Sequence, residues 1–292
     1  MFDRLVSAFA PTTAFVLLWS SGAIVSEIAL RHGSPFAILI LRYGIALAVL
    51  VAFAAWNGSL LPARGTRSRN ALIGLLIAGL YSACYLLALD NGITPGALAT
   101  LLGVQPILTL FLTERRVTAP RLVGLLCALS GLALVVADGL TSMQFNLLGL
   151  ACAALSLLGI TAGSILQKRE RQAPWTVLPM QYAVGLTFAG AMSPLGTFHG
   201  SWNMGFVLPV VWLGLVISVG ATFLLYHLIA RGNLVNVTSL FYLVPGVTAV
   251  MDWLILDHPM SAPMLGGLGL VVVGLLVVFR YKAGPDMAPK EA

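Results

Sequence analysis

The feature that most constrains this chain is a succession of long uncharged stretches. Apolar runs of about 20 residues follow one another from end to end, each closed by Pro, Gly or polar residues. At ~1.5 Å rise per residue, a helix of that length matches a hydrocarbon core ~30 Å thick. Ten such runs are read, at 8–30, 34–56, 70–90, 94–113, 119–138, 145–167, 174–195, 206–230, 234–256 and 263–282. Strands of a membrane barrel would instead alternate apolar and polar over ~10 residues. The runs are continuous, so an all-α integral membrane fold is expected. Composition agrees: 9% of the 292 residues are charged, 59% are apolar and the mean hydropathy is +0.96, where a soluble domain carries about a quarter charged residues. These values exclude a soluble enzyme, a secreted disulfide scaffold and a nucleic-acid binder. Cys84, Cys127 and Cys152 lie inside apolar runs without C-x-x-C spacing, which reads as core packing and not as metal ligation. No cofactor, metal or catalytic residue is expected.

Basic residues give the orientation. Taking the runs as alternating spans, one side collects Arg4, Arg64, Arg67, Arg69, Arg115, Arg116, Arg121, Lys168, Arg169, Arg171, Arg231, Arg280, Lys282 and Lys290, whereas the other carries Arg31 alone. By the positive-inside rule both termini are expected on the cytoplasmic side of a plasma (inner) membrane. The first run is too long for a signal-peptide core and reads as an uncleaved helix.

Five spans per half invite a search for an internal repeat, because a unit with an odd number of spans enters the membrane in opposite directions in its two copies. Ala119-Pro120, Gly124-Leu125 and Gly131-Leu132 recur 143 residues later as Ala262-Pro263, Gly267-Leu268 and Gly274-Leu275. Pro35, Tyr43 and Pro106 recur at an offset of 139 as Pro174, Tyr182 and Pro245. Two five-helix inverted repeats, 1–138 and 139–292, are therefore expected to form one structural unit around a central cavity. A pseudo-twofold axis in the membrane plane allows that cavity to open to either side by similar motions, which favours an alternating-access carrier over a channel. No filter-like loop or ring of like charge supports a channel.

The chain resembles the drug/metabolite transporter superfamily, in its ten-helix EamA-type branch. The resemblance rests on Trp19-Ser20-Ser21-Gly22, Pro35 with Leu41-Arg42-Tyr43, Tyr85-Leu86-Leu87-Ala88-Leu89, Gln105-Pro106 followed by Glu114-Arg115, and Tyr242-Leu243-Val244-Pro245 followed by Asp257. The chain departs from the usual pattern at Asp257-His258, where Glu is usual, and in a shorter spacing from Pro106 to Glu114. The resemblance implies export of amino acids and related metabolites, with the YddG-type aromatic amino-acid exporters as one similar subgroup.

Ionisable groups inside a membrane are costly unless they face water or a partner. Arg42 is deep in the second run; its reading as a structural partner of Glu27 or of a helix carbonyl is preferred to one as a substrate-carboxylate ligand. Glu27 and Asp252 sit towards the outer ends of their runs, as does Asp90. No central carboxylate stands in the first run where a small multidrug transporter has one, and one core base is too few for a phosphorylated substrate. The remaining mid-membrane groups are neutral: Trp19, Ser20, Ser21, Tyr81, Ser82, Tyr85, Gln105, Ser156, Thr161, Tyr226, His227, Ser239 and Tyr242. Each taken singly reads as interhelical glue. As a set they can stack on an apolar side chain and hydrogen-bond a zwitterion, which reads as a lined substrate site. Pro106 and Pro245 each remove a backbone donor and are read as hinges.

The expected function is a secondary transporter that exports small amphipathic metabolites, with neutral or aromatic amino acids foremost. A proton-coupled multidrug antiporter of organic cations is the alternative. An intramembrane enzyme ranks below both, since no H-E-x-x-H, G-x-S-x-G or P-loop is present. The expected partners are a small-molecule substrate and the lipid bilayer, with no nucleic acid, and the protein is read as a monomer or homodimer.

Overall fold

The structure, a computed structural model, describes residues 2–58, 60–114, 116–137, 146–196, 198–256 and 261–281. Its first half contains α1 (Phe2–Leu30), α2 (Pro35–Trp56), α3 (Arg64–Asp90), α4 (Pro95–Thr113) and α5 (Ala119–Val135). Its second half contains α6 (Leu147–Lys168), α7 (Pro174–Met192), α8 (Met204–Arg231), α9 and α10 (Ala262–Arg280). Helix α9 begins as Leu234–Ser239, tightens into a 3-10 turn at Leu240–Tyr242 and continues as Leu243–Leu256. The starts are chemically marked. Pro opens α2, α4, α5, α7 and α10, where its missing N–H is one the first turn leaves unpaired anyway. Side-chain oxygens of Thr94, Asn146, Asn203, Asn233 and Ser261 accept first-turn N–H groups of α4, α6, α8, α9 and α10. Gly92, at φ +84°, lets the chain turn off α3, with the Ile93 N–H donating to Ala88 O at 3.1 Å.

Among the described residues, seven helices are long and apolar enough to cross a membrane: α1, α2, α3, α4, α6, α8 and α10. Ala119–Val135 and Leu234–Thr248 are apolar but shorter. Side chains such as Phe53, Val123, Leu158 and Leu276 are more than half exposed, and so many large apolar groups turned outward fit lipid, not water. The chain is a multi-pass membrane protein.

Packing couples the two halves. Helix α5 lies along α10, and glycines set their separation. A Cβ on Gly131 would stand 2.6 Å from Gly267 O, and one on Gly267 would stand 2.6 Å from Gly131 O. Gly124 and Gly274 oppose each other in the same way, at 2.9 and 2.5 Å. Only residues without a side chain let the backbones meet this closely. Elsewhere α2 packs on α7, α3 on α6 and α7, and α8 on α1 and α2, around a core that includes Phe15, Leu39, Tyr43, Ile73, Val177, Ile217 and Leu225.

Hydrogen bonds sort the connections into two groups. The turn after α1 is tied to the segment before α8 by Ser34 N–H to His199 O and Ser201 N–H to His32 O, both 2.8 Å, and by the bridge from Gly33 to Gly200. The segments around 63–70 and 168–172 are tied to each other, as are Glu114 and Arg121 to Asn233 and Asn236. Arg64, Arg67, Arg69, Arg121, Lys168, Arg169, Arg171 and Arg231 all fall in or beside this second group, whereas the first holds Arg31. One face of the bundle is thus rich in bases.

Candidate functional site

A cavity of about 750 Å³ lies between the halves, lined by residues from α1 to α9. It runs from Ser26, Glu27, Pro95, Gly96, Val135 and Val136, near the base-poor helix ends, to Gln105, Gln181 and Tyr226 deeper in the bundle. Two local departures from α-helical geometry shape its walls. Helix α3 widens into a π-helical stretch at Leu75–Tyr81, and α8 does so at Leu213–Ala221. Immediately after each stretch a hydroxyl reaches back five residues: Ser82 Oγ donates to Ile77 O at 3.1 Å and Thr222 Oγ1 to Ile217 O at 3.0 Å. Such wide turns free carbonyls and redirect side chains, which is why they concentrate at sites. Ser82 and Thr222 both line the cavity.

Two tyrosines meet between the halves. The rings of Tyr43 and Tyr182 are 5.2 Å apart and edge-on; Tyr43 Oη donates to Ala78 O at 2.6 Å, and Tyr182 Oη lies 3.1 Å from Thr222 Oγ1. Beside them Arg42 donates from Nε and Nη2 to Ser218 Oγ at 3.0 and 2.9 Å. Further aromatic surface comes from Trp19, packed against Phe15 and Phe241 with centroids 5.3 Å from each, and from the pair Tyr81 and Tyr85.

At its inner end the cavity meets a hydrogen-bonded chain. Tyr226 Oη donates to Gln181 Oε1 (2.6 Å), Gln181 Nε2 to Asn70 Oδ1 (2.9 Å), and Asn70 Nδ2 to Glu170 Oε2 (2.7 Å). Arg69, Gln172 and the backbone N–H groups of Arg171 and Gln172 also donate to Glu170. Burial alone would raise the Glu170 pKa, but the hydrogen bonds from Gln172, Asn70 and Arg69 outweigh it and hold the group at about 2. A second network lies between α4, α5 and α9. Arg121 pairs with Glu114, both fully buried, and Nη2 of Arg121 donates to Asn233 Oδ1 at 3.1 Å and Asn236 Oδ1 at 2.9 Å. Lys168 Nζ donates to the carbonyls of Ile229 and Gly232 at the end of α8. All three knots lie at the base-rich connections, and none of their residues except Gln181 and Tyr226 lines the cavity.

Of the residues expected from sequence, Trp19, Ser21, Tyr81, Ser82, Tyr85, Gln105, Tyr226, Pro245, Arg42 and Glu27 line the cavity. Ser20, Ser156, Thr161, His227, Ser239, Tyr242 and Pro106 stand outside the lining. Ser20 joins α1 to α9 through Val244 O, Ser156 joins α6 to α3 through Tyr81 O, and Thr161 and Ser239 bond back to their own helices. The Tyr242 ring is buried beside the α5–α10 contact. The side chain of Asp252 lies outside the described residues.

Two expectations change. Glu27 pairs with Arg31 at 2.8 Å, not with Arg42, because the i,i+4 partner is held beside it by the helix itself. Pro106 is not in a helix interior: α4 breaks at Gly103–Val104, and Pro106 lies in the first turn of the segment Gln105–Thr113. Pro245 likewise follows the 3-10 turn of α9. Gln181, Tyr182, Thr222 and Thr248 also line the cavity without having been singled out for it. Tyr182 carried a signal as the repeat partner of Tyr43, and Gln181 as that of Arg42.

Residues 12–137 match the EamA-like transporter family. Over 273 residues the chain is 22% identical to the uncharacterized transporter YvbV of Bacillus subtilis (strain 168), a match that covers 90% of this chain and 88% of that protein. One protein crystal structure superposes with a TM-score of 0.75 at 20% identity, covering 94% of this chain and 98% of the other. That likeness shows a shared fold.

Proposed function

Residues 12–137 belong to the EamA-like transporter family, and on that premise we propose that the whole chain is a secondary transporter that exports small amphipathic metabolites, neutral or aromatic amino acids foremost, by alternating access. The carrying observation is the central cavity, with aromatic and hydroxyl-bearing walls, reaching the base-poor helix ends while buried polar networks tie the base-rich ends together. Read with the positive-inside rule, this is an outward-open form of a ten-span protein in an inner membrane, with both termini cytoplasmic. Two inverted five-helix repeats, 1–138 and 139–292, are supported by paired features: the reciprocal glycine contacts of α5 and α10, the π-helical stretches of α3 and α8, and the facing Tyr43 and Tyr182. Pro106 and Pro245 each follow a break in a helix and are the hinges of this scheme.

The alternative, a proton-coupled antiporter of organic cations, needs an available carboxylate in the cavity. Among the described lining residues Glu27 is the acid, and it lies at the outer mouth, partly exposed and paired with Arg31, not at the centre of the cavity. Counterflow in proteoliposomes with labelled phenylalanine, leucine, an organic cation and a sugar phosphate tests the choice. Saturable counterflow of the amino acids without a pH gradient is expected. Proton-driven movement of the cation with the amino acids inert would overturn it.

A further inference from the structure

Among the described residues, Arg42 is the one cationic residue in the cavity lining, and no acid forms an ion pair with it. Two of its nitrogens, Nε and Nη2, converge on Ser218 Oγ across the interface of α2 and α8. Its guanidinium carbon stands 5.3 Å from the centroid of the Tyr43 ring. These contacts come from neutral groups: they fix the plane of the fork and bring it no counter-charge from the described residues. A charge of this kind inside a membrane protein stands where function requires a counter-charge, and Glu27, the acid among the described lining residues, pairs with Arg31.

The chemistry of the free donors limits the counter-ion. A planar fork pairs best with a planar acceptor of the same spacing, a carboxylate. A phosphoryl group would need more than one base, and an organic cation would be repelled. The surroundings define the rest of the ligand: Tyr43, Tyr81, Tyr85, Tyr182, Trp19 and Phe241 supply ring faces, suited to an apolar or aromatic body.

We propose that Arg42, oriented by Ser218 and Tyr43, is the carboxylate-binding residue of the cavity, and that the cargo is a small monocarboxylate with an apolar or aromatic body. This deepens the transporter reading and rests on the cavity being the transport path.

The test uses the full chain in nanodiscs, with binding followed by calorimetry for three probes that share a phenyl ring: 3-phenylpropionate, L-phenylalanine and phenethylamine. Wild type is expected to bind both carboxylates at least tenfold more tightly than phenethylamine, and Arg42→Gln to lose at least tenfold for the carboxylates alone. Equal affinity of wild type for phenethylamine and 3-phenylpropionate, no carboxylate binding by wild type, or unchanged binding by Arg42→Gln would each overturn the assignment. If Arg42→Gln does not fold, Arg42→Lys keeps the charge without the fork and is expected to weaken both carboxylates severalfold; unchanged affinity there is equally contrary. Counterflow of the same probes separates the two readings. Arg42-dependent binding without counterflow keeps this assignment and rejects transport, whereas counterflow indifferent to Arg42→Gln keeps transport and rejects the assignment.

Discussion

Glu170 shows how much a single side chain can hold at the base-rich face. Its carboxylate accepts from the backbone N–H groups of Arg171 and Gln172 and from the side chains of Gln172, Asn70 and Arg69, so folding lowers its pKa from 4.5 to about 2. A group depressed in this way stabilises the fold fully above its unfolded pKa and stops doing so as pH falls through the folded value. The melting temperature of the wild type is therefore expected to fall as pH drops below about 4.5 and on towards 2. Glu170→Gln should melt lower at pH 7 and depend less on pH across that window, as thermal unfolding in detergent would record. Glu114 and Arg121 make a sharper case, because both are fully buried. Arg121→Met removes the cation from beside a fully buried carboxylate and should cost roughly 3–5 kcal/mol, whereas the double variant Glu114→Leu/Arg121→Met should recover much of the loss; a double-mutant cycle on unfolding reads both. Legibility at this scale was uneven. Trp19, Tyr81, Ser82, Tyr85 and Gln105 could be read as cavity-lining because a polar or aromatic residue in mid-run needs a partner or a void. The bond from Arg42 to Ser218 could not, since it joins residues 176 apart in sequence and nothing local encodes it.

Helix pairs carry the next layer of the argument. Along α5 and α10 the matched glycines were legible as a repeat, and the structure gives their physical reason: at Gly131 any side chain would begin 2.6 Å from the Gly267 carbonyl oxygen and 2.7 Å from the Val271 nitrogen. Because the obstacle is backbone, it has no rotamer through which to yield. Gly131→Val is expected to destabilise by at least ~1–3 kcal/mol, the usual range for overpacking. Gly44→Ala, where a Cβ meets nothing within 4 Å, should be neutral or slightly stabilising, since it removes helix-disfavouring flexibility; unfolding of the two variants side by side measures the contrast. The π-helical stretches of α3 and α8 were not legible. A continuous apolar run fixes that a helix forms but not where its hydrogen-bond register slips, and the role of Ser82 and Thr222 in that slip shows only in their five-residue back-bonds. The break in α4 was half legible: Pro106 marked an irregularity, but Gly103–Val104, where the helix parts, carried no signal of its own.

For the whole molecule, alternation of bases along the chain was the most legible property, because charge is excluded from hydrocarbon and must collect at the faces. The structure groups the connections accordingly. What sequence did not carry is the state of the cavity, since that depends on which polar networks close: Tyr226–Gln181–Asn70–Glu170 and Arg121–Glu114–Asn233–Asn236 join segments far apart in sequence. In the proposed cycle these networks part when the opposite mouth closes. The measurement that reaches this claim most directly is pulsed electron paramagnetic resonance on two spin-label pairs, after replacement of the free cysteines Cys84, Cys127 and Cys152. One pair, at Ile28 and Leu134, flanks the mouth beside Glu27 and Val135; the other, at Arg116 and Arg231, flanks the buried Arg121 network; all four positions are exposed. Alternating access predicts that saturating L-phenylalanine yields a population in which the first distance shortens while the second lengthens. Fixed distances, or two distances that change in the same direction, would contradict it.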